Sequence, residues 1–190
     1  MLVCPSCGAK NLEGADYCEH CHQPLNELSI RVPTGGVEAG LLRDTVSLLP
    51  RHQPQVVQPT TPVGEVLKQL AADPVGCVLV VDSAKPDQLA GIFSERDALM
   101  RLDPESSHWR TEPIERYMTP NPSTVPADAK IAFALHKMNH GAYRHLPLME
   151  GDRAVSILTV RDVLQYLTHR AKSVALGAKL LGGAIHDGNG

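Results

Sequence analysis

The chain repeats itself, and the repeat fixes most of what it can become. An offset of 68 residues aligns Pro54 with Pro122, Val57 with Val125, Val63 with Ile131, Leu67 with Leu135 and Leu70 with Met138. The same offset lays residues 77–82 over 145–150. Beyond that point the offset falls to 65, so Ser94 meets Thr159, Asp97 meets Asp162 and Leu102 meets Leu167. The difference lies in the polar stretch 83–88, and a length change confined to one surface loop is how duplicated domains diverge. In each copy a short extended piece (55–58; 123–125) precedes apolar residues at helical spacing, at 63, 66, 67, 70 and at 131, 134, 135, 138. An apolar strand (77–81; 145–149) and a second strand (89–93; 153–158) follow, then a helix opened by Ser94 or Thr159 as N-cap. The residues at 41–49 and 113–118 partly supply a helix ahead of each copy. A β-α-β-β-α unit of about 60 residues is too small to cover both faces of its sheet, and pairing two units supplies the missing cover. The expected fold class is α/β (α+β), built from two such repeats.

The cysteines divide unequally. Four of the five stand in the first 21 residues, as Cys4-x2-Cys7-x10-Cys18-x2-Cys21. Paired C-x-x-C hooks suit tetrahedral Zn²⁺, and Gly8 permits the positive φ that such a tight turn needs. With Leu2, Val3, Leu12, Tyr17 and Leu25 to build from, this segment lacks a sufficient core and needs the metal to fold. Cys-Pro-Ser-Cys-Gly-Ala-Lys-Asn at 4–11 and Tyr-Cys-Glu-His-Cys-His-Gln-Pro-Leu at 17–25 resemble the short zinc-ribbon family. That family usually has glycine after the second hook, where this chain has His22. Replacement of one thiolate by His20 or His22 stays open, as does a thiol redox pair. Cys77, inside the apolar run 77–81, reads as an inert core residue.

Lys+Arg 18 against Asp+Glu 21 gives net charge −3, the wrong sign for a protein that relies on phosphate-backbone attraction. Four thiolates around a dication take two further units off that charge. The longest apolar stretch, residues 173–185, is broken by Lys179 and too short to span a bilayer. The first residues show neither the basic nor the apolar region of a signal peptide. The expectation is a soluble cytoplasmic protein with no membrane partner.

Gly91-Ile-Phe-Ser94-Glu-Arg-Asp97 and Ser156-Ile-Leu-Thr159-Val-Arg-Asp162 resemble the Gly-hydrophobic-x-Ser/Thr-x-x-Asp/Asn motif of CBS (cystathionine-β-synthase) domains. Tyr-Met-Thr-Pro-Asn-Pro at 117–122 and Tyr-Arg-His-Leu-Pro-Leu at 143–148 match the same family's phrases. The resemblance implies a CBS pair, or Bateman module, over about residues 43–170. Such pairs bind adenine nucleotides (AMP, ADP or ATP) between the copies and usually dimerise. The second copy departs at Ser156, where the family often has glycine. The organisation expected is a zinc ribbon at 1–25, a linker at 26–42 with a short strand at 28–32, CBS domains at 43–103 and 112–170, and a tail at 171–190 helical to about Leu181.

The local chemistry points the same way. Ser94 and Thr159 each end a strand and open a helix, whose first N–H groups attract phosphate. Three residues later, Asp97 and Asp162 offer carboxylates that can accept from two vicinal ribose hydroxyls. The same Ser-x-x-Asp pattern serves equally as a capping box. Arg144 and His145 stand at a strand entrance, where a planar guanidinium and a protonated imidazole could meet phosphate. His145 alternatively reads as a hydrogen-bonded histidine at an interface. Arg96 and Arg161 lie in the first helical turns, and adenine is expected against Val125 and Ile157 with its polar edge at the Thr124 backbone. His136 and His140 share a helix face but lack a metalloprotease motif, so they read as surface residues. Arg144-His145 aligns with Gly76-Cys77, so the second copy is expected to form the better site.

No nucleophile elbow or Walker loop appears, so the protein reads as a regulatory module and not an enzyme. It would sense an adenine nucleotide and use the ribbon to contact an unidentified protein partner. Two other readings stay open: a nucleic-acid-binding regulator acting through the ribbon, and a structural scaffold with empty clefts. The ribbon's Lys10 against Glu13, Asp16 and Glu19 argues against the first of these. Apolar helix faces near 63–70, 99–102, 131–138 and 163–167 predict a homodimer.

Overall fold

The computed structural model describes residues 2–4, 7–12, 15–25, 36–82, 84 and 88–183. In chain order the elements are β1 (Leu2–Val3), β2 (Lys10–Asn11), α1 (Gly36–Arg43), β3 (Gln55–Val57), α2 (Val63–Ala72), β4 (Cys77–Val81), β5 (Leu89–Ser94), α3 (Glu95–Arg101), β6 (Thr119–Pro120), β7 (Val125–Pro126), α4 (Ile131–Gly141), β8 (His145–Glu150), β9 (Arg153–Thr159) and α5 (Val160–Gly183). Short 3-10 turns stand at Val46–Leu48 and Ile114–Arg116, within the segments expected as helix before each repeat. Both copies thus run β-α-β-β-α: β3-α2-β4-β5-α3 and β7-α4-β8-β9-α5. The strand expected at 28–32 lies outside the described residues.

The chain groups into two compact units, one of Pro50–Ala127 with Tyr143–Thr159, the other of Met1–Leu49, Asp128–Ala142 and Val160–Gly190. In the first, β3-β4-β5-β6 form one sheet and β7-β8-β9 a second. Strand β3 joins β4 in parallel, as β7 joins β8, and the β4–β5 and β8–β9 hairpins are antiparallel with a register shift in each. β4 is apolar at every position because both of its faces are covered. Val78 and Val80 pack with Val63, Val66, Leu70 and Phe93, while Cys77 and Leu79 pack with Ile92 and Ile157.

The leading segments of the two copies are exchanged. Thr119, ahead of the second copy, pairs with Ile92 of the first, and His52, ahead of the first, bridges to Ile157 of the second. Close approach at these seams explains the small residue in each motif. A Cβ on Gly91 would meet the Met118 side chain and stand 3.1 Å from the Thr119 carbonyl oxygen. At the equivalent place Ser156 is tolerated because its hydroxyl donates to the His52 carbonyl at 3.1 Å, where Ile157 N–H also donates.

In the second unit, α1 begins inside the segment expected as linker. Two glycines would ordinarily weaken such a helix. Gly40 is there because a Cβ would come within 2.7 Å of Arg170 Nε. The absence of a side chain lets α5 lie close, with Tyr166 donating to Asp44 at 2.6 Å and Arg170 paired with the same carboxylate at 3.5 Å. Helix α5 passes the end expected near Leu181 and reaches Gly183. No helix among the described residues is long and apolar enough to cross a membrane.

Candidate functional site

The four N-terminal cysteines converge. Their sulfurs all lie within 4.8 Å of one another, with Cys4 and Cys21 3.6 Å apart and Cys7 and Cys18 3.5 Å apart. Tetrahedral Zn–S bonds of about 2.3 Å require sulfurs about 3.8 Å apart, so the cluster fits a zinc ion with four thiolates. Each hook folds the same way. Gly8 N–H donates to the Cys4 carbonyl at 2.9 Å, and His22 N–H donates to the Cys18 carbonyl at 2.8 Å. Gly8 has φ 75° and His22 φ 57°, so His22 occupies the left-handed position that glycine holds in the first hook. Burial opposes ionisation of Cys18, but N–H donors from Cys21 and His20, together with the Cys7 thiol and the Asn11 amide, outweigh it and pull the thiol down to about 6. Asn11, buried, accepts from Glu19 N–H at 3.0 Å and donates to the Ala9 carbonyl at 2.9 Å, tying the two hooks together. Sequence reasoning passed over Asn11. His22→Gly is expected to leave zinc binding intact, whereas His22→Val costs about 1–2 kcal/mol because a β-branched residue resists positive φ. Chelator titration of the two variants checks this.

The first-copy motif is closed by its own chain. Ser94 caps α3 in a capping box. Oδ2 of Asp97 accepts from Ser94 N–H at 2.9 Å and Ser94 Oγ at 2.6 Å. Oδ1 accepts from Thr119 Oγ1 at 3.2 Å and pairs with Arg101 at 3.2 Å. An ionised carboxylate has about four acceptor positions, and all are committed. Arg101 further donates to the Tyr117 and Met118 carbonyls at 2.7 and 2.6 Å, so α3 is latched to β6. Arg101 and Thr119 escaped the sequence reading because their partnership spans 18 residues. Arg96 is exposed.

In the second copy, Thr159 ends β9 and Asp162 stands in the first turn of α5, both buried. Arg161 and Arg144 are exposed, and Thr124 is half-buried. Val125 and Ile157 are wholly buried within the fold. His145 Nε2 donates to the Val75 carbonyl at 2.8 Å, which favours its reading as an interface histidine. Burial holds its ring below the ordinary 6.5, with Val75, Glu95 and Asp97 acting the other way and Arg144 reinforcing the shift. The unfolded chain therefore takes up this proton first as pH falls. Stability from this group is whole above about pH 6.5 and declines below it, until the folded ring itself protonates. His145→Gln should flatten that decline in urea titrations run across pH 5–7.

A cavity of about 260 Å³ lies elsewhere along β9, walled by Val56, Leu79, Val81 and Val155 with Gln53 and Arg153 at its rim. At about 3.3 Å per residue, Val155 is about 13 Å along the strand from Thr159. None of the nucleotide-binding residues expected from the sequence lines this cavity.

The arrangement defines a class: a four-thiolate hook module joined to a duplicated pair of sheet-and-helix repeats. A family model of the CBS domain matches residues 44–103 and 114–169, and one of the zinc-ribbon domain matches residues 3–25. The chain belongs to the CBS-domain family and carries a tandem pair of these domains behind an N-terminal zinc ribbon. The CBS domain-containing protein CBSCBSPB1 of Arabidopsis thaliana is 28% identical over 141 residues, 74% of this chain and 26% of that one. The chain thus matches about a quarter of that relative's length. Among solved structures, ATU1752 of Agrobacterium tumefaciens, a CBS-domain protein, superposes with TM-score 0.55 at 26% identity, covering 60% of this chain and 89% of the other. CBSX2, solved in complex with AMP, gives TM-score 0.55 at 25% identity and covers 66% and 96%.

Proposed function

We propose that this protein is a non-catalytic, cytoplasmic sensor of an adenine nucleotide, AMP foremost, with a structural zinc ion in its ribbon. What carries the reading is the Thr159–Asp162 strand-to-helix passage in a CBS pair whose relative CBSX2 was solved with AMP. The N-terminus of α5, a helix of 24 residues, attracts phosphate, and Asp162 is the carboxylate for the ribose hydroxyls. Arg144 supplies a charge-assisted hydrogen bond to phosphate. In copy one, Asp97 must release bonds to Thr119 or Ser94 before accepting a ligand, and Gly76-Cys77 stands where copy two has Arg144-His145. Nucleotide binding shifts the population of arrangements presented to a protein partner.

The chain is also read as a homodimer. The apolar positions 63, 66, 70, 131, 134 and 138 are buried within the chain itself, leaving Leu99 and Met100 on α3 and Leu164 on α5 exposed. Light scattering is expected to give twice the 20.5 kDa chain mass, and a monomer mass at every micromolar concentration contradicts it. Calorimetric titration with AMP, ADP and ATP tests the nucleotide reading. A saturable heat with at least one of them supports it, and no heat with any overturns it.

A further inference from the structure

Helix α4 is the first helix of the second repeat, and residues 133, 136, 137 and 140 share one of its faces. That face is occupied by the ribbon's second hook. His136 Nε2 donates to the carbonyl of Cys21 at 3.1 Å. The ring of His20, between the two cysteines of the hook, lies 6.3 Å from that of Phe133, which is buried. The Lys137 ammonium sits over the same Phe133 ring at 5.3 Å and is half-buried. Burial pushes this ammonium below its ordinary range, and the charge of Cys21 opposes that push. Four thiolates around Zn²⁺ leave a net charge of −2, which the ribbon meets with neutral donors such as the Cys21 and His20 N–H groups and the Asn11 amide at Cys18. A cation brought in on a neighbouring helix changes that balance.

We infer that α4 is the docking face of the metal-loaded ribbon, with Lys137 as counter-charge to the zinc tetrathiolate and His136 and Phe133 as its anchors. The zinc site is then shared in effect between ribbon and CBS pair, and metal occupancy is felt at the first helix of the second repeat. The inference rests on the zinc reading above. The full-length chain, reduced and zinc-loaded, is mixed with the chromogenic chelator 4-(2-pyridylazo)resorcinol. Outer-shell partners of metal ligands typically change metal affinity by about 10–100-fold. Lys137→Glu should therefore release zinc about tenfold faster than the wild type, with Lys137→Arg within about threefold of it. The excess release of Lys137→Gln should shrink at high salt, which a packing role alone does not predict. Hydrogen exchange of the α4 amides should rise about tenfold on zinc removal, with β4 and β5 unchanged. If Lys137→Glu loses protection in β8, Lys137→Gln is read in its place. Release at the wild-type rate from the charge variants, or α4 exchange indifferent to zinc, overturns the docking. Absence of zinc from the wild-type protein by elemental analysis overturns the zinc reading and this inference with it.

Discussion

Cys18→Ser is expected to abolish zinc binding and unfold the ribbon while the paired sheets remain folded. The four sulfurs already stand at the spacing of a closed tetrahedral site, and among the described residues the cluster holds these four ligands and no fifth. Structural zinc contributes apparent binding energies of about 10–16 kcal/mol, far beyond what the ribbon's few apolar residues can supply. Leu25 and the two-stranded β1–β2 ladder are nearly all it has. Elemental analysis should fall from one zinc per chain to essentially none. Amide protection should vanish at 15–25 and persist in β4, β5, β8 and β9, which share no residue with the ribbon. Cys77→Ala, the matched control, should keep its zinc. The Cys77 thiol is fully buried and pushed up to about 12 by burial and by nearby Asp73 and Asp97, so it takes no part.

Asp97→Ala is expected to cost about 2–3 kcal/mol of stability, from losing the carboxylate half of the capping box and the other hydrogen bonds to a charged acceptor. The Asp97–Arg101 pair, whose Arg101 side chain is 40% exposed, adds little to that figure. Urea denaturation monitored by circular dichroism measures the loss. On the proposed reading, Asp162→Ala should weaken nucleotide binding at least about tenfold, equivalent to about 1.4 kcal/mol. Asp97 acts as a structural latch because Thr119 and Arg101 reach it within the first copy. At the equivalent seam of the second copy the chain supplies His52, whose carbonyl is committed to Ser156 and Ile157.

The repeat, its β-α-β-β-α order and the cysteine hooks were legible because each rests on short-range patterns. Periodicity at 63, 66 and 70 forecasts a buried helix face, and that face is buried. The positive φ at Gly8 was legible in the first hook, whereas His22, read as an alternative ligand, takes the matching left-handed position in the second. Contacts between distant segments were not legible. His136 reads from the sequence as a surface residue, yet it meets Cys21 across 115 residues. Helix α1 runs against its glycine content because Tyr166 and Arg170 need the space at Gly40. The cavity beside Val56 and Val155 joins segments about a hundred residues apart, and no local pattern encodes it.

The central claim is that the second-copy motif binds an adenine nucleotide and the first-copy motif is structural. Isothermal titration of AMP into the zinc-loaded wild type, Asp97→Ala and Asp162→Ala tests it most directly. One AMP should bind per wild-type chain. Affinity should stay within about threefold in Asp97→Ala and fall at least about tenfold in Asp162→Ala, where the ribose acceptor is gone. Binding abolished by Asp97→Ala and unchanged in Asp162→Ala would contradict the account.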